Sequence, residues 1–224
     1  MGLTKVFFWG MLVSFLGSLP LGTLNVAAMQ ISVQESIRHA IYFSLGSLTV
    51  EMIYVRISLV GINWIRKQKK LFRWMEWITL GIVVALATGS FIAALQPHHA
   101  KNVMLNNNVH RYFLGVMLSA INPIQIPFWF GWSTILFTKN ILVPKNAYYN
   151  LYIVGIGLGT LFGNCVFIFG GKFIVEKLNT NQNMLNWIIG GIFSITALIL
   201  LIKILFHKDA AGKLEKLGVE EVNS

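Results

Sequence analysis

The chain has 224 residues, of which 55% are hydrophobic and 12% charged, with a mean hydropathy of +0.66. A soluble domain carries about 25% charged residues, so the composition excludes an ordinary water-soluble fold and points to an all-α integral membrane protein. The formal charge of +10 does not imply a nucleic-acid partner, because the basic residues sit between apolar runs and in the tail, where they orient a chain in a bilayer.

A helix needs about 20 residues to cross the hydrocarbon core, and six runs are long enough: residues 6–29, 40–64, 74–95, 112–137, 148–174 and 185–206. The first could pass for a secretory signal, since Lys5 precedes it and Ala27 and Ala28 supply small residues. It is too long for a signal core, and five further runs follow. Inside it stand Pro20, Gly22 and Asn25. Two helix breakers and an amide at that depth are tolerated only where the backbone is buried in protein or lines a wet cavity. Pro20 frees the carbonyl four residues before it, Gly22 lets the chain open, and Asn25 offers a donor and an acceptor. These three are candidate substrate contacts.

The second run holds Glu51, eleven residues from Ala40 and thirteen from Trp64, which puts it near the bilayer centre at about 1.5 Å per residue. A charged acid there costs about 2.5–3.5 kcal/mol or more, so Glu51 is the candidate proton-coupling residue. A structural role, with Arg56 or with backbone freed at Pro20 as partner, is the alternative. Arg56, five residues on, is about 140° round the helix from Glu51, which does not favour a direct pair. Gly46, with Gly155, Gly159 and Gly163 of the fifth run, has the spacing of close helix crossings and predicts packing instead of a ligand.

The third run carries Trp77 and Gly81, and a polar loop at 96–111 follows it. In the fourth run Asn122 and Pro123 form a second break, with Gln125 just beyond and Phe128, Trp129 and Trp132 as candidate walls of a cavity. The fifth adds Asn164 at depth and Cys165, a lone cysteine that excludes an intramolecular disulfide and reads as a small buried hydrophobe. The sixth carries Trp187 and Gly191. Counting the N-terminus, the second and fourth loops and the tail as one side gives twelve Lys and Arg against five on the other. Both termini are therefore expected in the cytoplasm.

The two halves match at their unusual positions. Pro20 corresponds to Pro123 and Ser18 to Ser119, while residues 46–54 lie over 159–167 without a gap and place Glu51 on Asn164. Trp77 and Gly81 correspond to Trp187 and Gly191. Three spans per half make the halves run in opposite directions, so the expected architecture is six helices as two inverted three-helix repeats, with helices 1 and 4 broken at Pro20 and Pro123. One transmembrane domain covers 1–206, with repeats at about 1–95 and 112–206, and a cytoplasmic tail covers 207–224. The substrate would lie between the breaks, at Pro20, Gly22, Asn25, Asn122, Pro123, Gln125 and Asn164. A mostly neutral cluster of this kind suits a zwitterion, held by freed N–H groups and carbonyls at half-helix ends. No span holds paired His, Cys or carboxylates, and no nucleophile with a base or phosphate loop is visible. No metal, cofactor or enzymatic activity is therefore expected.

Pro20-Leu21-Gly22-Thr23-Leu24-Asn25 resembles the Pro-x-Gly-Pro-x-Asn motif of the LysE/RhtB amino-acid exporters, and Asn122-Pro123 with Phe128-Trp129 resembles that family's Asn-Pro-x(4)-Phe-aromatic stretch. Length and six-span organisation agree along nearly the whole chain. Thr23 replaces the motif's second proline, and Ile124 stands where many members have lysine. The resemblance implies a secondary exporter of amino acids or related small metabolites in the bacterial inner membrane, by proton antiport, with room for a homodimer. It assigns the cavity-lining breaks to Pro20, Gly22, Asn25, Asn122 and Pro123. The alternatives are an inorganic-ion or metal exporter of the same superfamily and a non-transporting membrane scaffold or assembly factor.

Overall fold

The computed structural model describes residues 3–19, 22–60, 69–95, 109–122, 125–177 and 182–206. Pro20, Pro123, residues 96–108 of the polar loop at 96–111 and the tail from 207 lie outside the described residues. Within them the chain forms eight helices and no strand: α1 (Leu3–Ser18), α2 (Thr23–Gln34), α3 (Ile37–Val60), α4 (Lys69–Leu95), α5 (Arg111–Ala120), α6 (Gln125–Thr138), α7 (Asn146–Lys177) and α8 (Gln182–Leu205).

Four of these, α3, α4, α7 and α8, are each long and apolar enough to cross a membrane. The other four form two bent pairs, α1 with α2 at 74° and α5 with α6 at 71°, so there are up to six spans if each pair is one crossing. The bends fall where the sequence sets its prolines and small polar residues. Lipid-facing surface is plain on α7, where Val154, Leu158, Phe162, Val166, Phe169 and Phe173 recur at three- and four-residue steps and stay exposed.

The most extensive helix pair is α1 on α7, followed by α4 on α8 and α3 on α5. Glycines make the closest of these approaches. A Cβ on Gly159 or Gly155 of α7 would overlap the carbonyl oxygen of Met11 or Phe7 in α1, and a Cβ on Gly46 of α3 would overlap that of Tyr112 in α5. The small-residue spacing thus marks helix crossings, as expected in a bilayer, where association depends on close packing.

Apolar side chains collect in two clusters. One gathers Val26, Ile31 and Val33 of α2 with Phe43 of α3, Leu86 of α4, Leu114 of α5, Ile168 of α7 and Phe193 of α8. The other gathers Val6 and Val13 of α1 with Val55 of α3, Trp129 and Leu136 of α6, and Tyr152 and Ile156 of α7. Following the chain through its crossings, the first cluster lies toward the α2 end of the molecule and the second toward the end where α1 begins. Helices α4 and α8 contribute buried residues to the first cluster and none to the second.

Candidate functional site

Each broken pair leaves helix ends in the interior, and orphan backbone groups there need partners. The carbonyls at the end of α5 are met by side chains: Tyr54 Oη donates to the Ala120 oxygen at 2.5 Å and Thr79 Oγ1 to the Ile121 oxygen at 2.8 Å. In the first pair Asn25 Nδ2 donates back across the bend to the Ser18 carbonyl. In the second, Gln125 Nε2 donates across the bend to Ser119 Oγ at 3.0 Å, and that hydroxyl donates to the Ser47 carbonyl of α3 at 3.0 Å. An amide at the start of the second half-helix therefore braces each bend. At the start of α2, Gly22 is extended, with φ −112° and ψ 160°, and supplies no side-chain cap.

Between the bends lies a cavity of about 510 Å³. Its wall includes Gly22, Asn25, Glu51, Asn122, Gln125 and Asn164, every described residue that the sequence singles out for substrate or proton. Phe128 and Trp129 also line it, whereas Trp132 packs against the second apolar cluster. Hydroxyls supply much of the remaining polar wall: Ser14, Ser18, Ser47, Thr79, Ser119, Thr160 and Thr196. The sequence gives little warning of them, because such residues are common in membrane helices and several bond locally, as Ser18 does to the Phe15 carbonyl at 2.8 Å. Lys203 of α8 completes the wall and is the one cation among its described residues, as Glu51 is the one acid among them.

The Glu51 carboxyl is within hydrogen-bonding reach of the Thr160 hydroxyl and the Trp129 indole. Thr160 Oγ1 in turn lies 2.5 Å from Ser14 Oγ, so a polar chain runs from α3 through α7 to α1. Arg56 is not the partner of Glu51. It donates to Asn146 at 3.0 Å and Asn150 at 3.3 Å, and its guanidinium stands 5.5 Å over the Tyr149 ring. Three lining oxygens are buried without a hydrogen-bond partner: Glu51 Oε2, Gln125 Oε1 and Asn164 Oδ1. Buried acceptors in this state lose about 1–3 kcal/mol each relative to bonded ones, so the wall is chemically suited to a donor-rich group. An ammonium has three donors and no acceptor.

Helix α2 borders the cavity on its other side. Residues 25–33 of α2 are all buried, and Glu35 at its end forms a two-pronged ion pair with Arg111 at the start of α5, with Arg111 Nε donating to Oε2 at 2.9 Å and Nη2 to Oε1 at 2.5 Å. His39 Nδ1 is 3.8 Å from Glu35 Oε2. Charges 76 residues apart carry no sequence signal of their pairing. Glu76 of α4, an acid inside a membrane-capable helix besides Glu51, is also buried.

The family model for LysE type translocators matches residues 15–204. The chain belongs to the LysE type translocator family. No curated protein and no solved structure shows a significant match to it. The translocator is a multi-pass membrane protein whose substrate is a small molecule carried across a bilayer. Transport requires no bond-making machinery, and the matched stretch takes in both bends and every described cavity-lining residue except Ser14.

Proposed function

We propose that this translocator exports an amino acid or a close derivative across the bacterial inner membrane in exchange for protons, with both termini in the cytoplasm. The observation that carries the reading is the cavity of about 510 Å³ in which two bent helix pairs and the acid Glu51 meet. The unpartnered oxygens of Glu51, Gln125 and Asn164 suit the ammonium of such a solute. The uncapped start of α2, whose Gly22, Thr23, Leu24 and Asn25 line the same space, suits its carboxylate. Pro20 and Pro123 would set the bends, and Glu51 would take up a proton when the amine leaves.

The two halves act as inverted repeats in this proposal. Helix α1 packs on α7 as α5 packs on α3, α2 meets α7 as α6 meets α3, and α3–α7 and α4–α8 each join corresponding helices of the two halves, while α2 also packs on α3 within the first half. The correspondence extends to residues: Gly159 abuts Met11 where Gly46 abuts Tyr112, and Asn25 braces one bend as Gln125 braces the other. Rocking of the halves would then expose the cavity to alternate sides.

The test is an untargeted comparison of metabolites released by cells with and without the protein, followed by Glu51→Gln. Expression should raise one or a few extracellular amino acids, and the variant should lose gradient-driven accumulation while keeping downhill exchange. If Glu51→Gln still concentrates the solute under a proton gradient, the coupling role is wrong. If release is unchanged by the protein, the exporter reading is wrong.

A further inference from the structure

Position 203 looks at first like one more basic residue that helps orient the chain, since Lys203 stands in the last turn of α8. Its neighbours on the helix say otherwise. Thr196, Ile199, Leu200 and Lys203 are spaced i, i+3, i+4 and i+7, one face of a helix, and all four line the cavity. Ile195, Leu198, Ile202 and Leu205 hold the more exposed face of the same helix, with Ile199 at its border, 47% exposed. A lysine that only anchors a helix end reaches out from the lipid side to the headgroups, whereas this one is half-buried on the cavity stripe. Among the described residues it has no ion-pair partner. From Thr196 to Lys203 the stripe climbs about 10 Å along the axis, away from the bends and toward the end where α1 begins, the end whose apolar cluster receives no buried residue from α4 or α8.

We propose that Lys203 is the selectivity residue at the entrance of the cavity, and that it recognises the anionic group, a carboxylate, of the solute carried. A cation on the wall of a cleft between low-dielectric helices concentrates anions and repels cations, with effects on encounter rate of about tenfold or more. The solute then meets a positive charge at the mouth, hydroxyls and amides along the wall, and unpartnered acceptors at depth. That order suits a molecule that carries a carboxylate as well as an amine and disfavours a simple cation. The inference rests on the cavity being the transport site, but the passage can be probed without knowing the substrate.

The probe is a cysteine at Thr196, deeper on the same stripe, in a Cys165→Ser background, with the purified protein in lipid nanodiscs so that both faces are open to reagent. Two methanethiosulfonates of similar size, one bearing a sulfonate and one a trimethylammonium, report the passage's charge preference as a ratio of labelling rates. Lys203→Gln should lower the sulfonate-to-ammonium ratio by about tenfold, Lys203→Glu should lower it further, and Lys203→Arg should keep it. A ratio unchanged by Lys203→Gln would overturn the proposal, since a headgroup anchor would behave that way. A Thr196→Cys protein that reacts with neither reagent would overturn it too, because the stripe would not line water. Either failure leaves the exporter reading to stand or fall on metabolite release.

Discussion

Gly46 and Gly159 each face a carbonyl oxygen of the neighbouring helix at a distance that leaves no room for a Cβ, whereas Gly81 and Gly191, also mid-helix, meet nothing within 4 Å. The same residue type therefore carries opposite expectations. Gly46→Val or Gly159→Val must push backbones apart, at a cost of about 1–3 kcal/mol or more, and should lower the yield of monodisperse protein. Gly81→Ala and Gly191→Ala should leave yield and thermal midpoint unchanged or slightly raised, because alanine favours the helix by about 1 kcal/mol. Equal behaviour of the two pairs would show that the crossings are looser than described. At this scale the sequence is legible where a residue is out of place in lipid. Glu51, Asn25, Gln125 and Asn164 declare themselves by their cost, and all line the cavity. Ser14, Thr160 and Thr196 do not, since a hydroxyl costs little in a helix that can bond it locally. Lys203 was legible only as a charge for orientation, because its face is set by how α8 sits against the rest.

The bent pairs show how two short helices can stand in for one long one. Their inner ends meet side-chain partners instead of water, and Asn25 on the Ser18 carbonyl is the clearest instance. Asn25→Ala should cost about 1–3 kcal/mol, seen as a lower thermal midpoint, with a smaller effect from Asn25→Ser if the shorter group still reaches. The ion pair between Glu35 and Arg111 ties α2, in the first half, to α5, in the second, with side-chain exposures of 11% and 9%. Removing Arg111 alone leaves a buried carboxylate short of its main partner and should cost about 3–5 kcal/mol. Replacing both partners by Gln should cost clearly less than the two single changes together. A double-mutant cycle on thermal stability measures the difference, and strict additivity would mean that the pair does not couple the two helices. The positions of the bends were readable in the sequence from prolines with nearby amides. The partner of each bend was not, since Tyr54 and Thr79 reach α5 across the fold from ordinary-looking places in two other helices.

At the scale of the molecule the cavity is one-sided. Among the described residues its walls run from the bends to Lys203, while buried side chains of α2 and the Glu35–Arg111 pair occupy the opposite way. Single cysteines at Gly22, Asn25, Asn122 and Gln125 should therefore react with a membrane-impermeant thiol reagent applied on the side where α1 begins and α8 ends, and more slowly from the other. Lack of reaction from both sides would favour a scaffold without a wet interior. The span pattern was largely legible from apolar runs, because the bilayer demands their length. The one-sidedness was not, for it depends on which of two apolar clusters holds α4 and α8.

That last arrangement has a calorimetric consequence. Helices α4 and α8 give buried side chains to the cluster at the α2 end and none to the cluster at the α1 end. If alternating access transfers the contacts of these two helices from one cluster to the other, apolar area uncovered at one end is covered again at the other. Heat capacity follows the net change in hydrated apolar area, about 0.45 cal/K/mol per Å². Solute binding that drives the switch should accordingly show a heat capacity change close to that of filling the cavity alone, nearly flat in binding enthalpy against temperature.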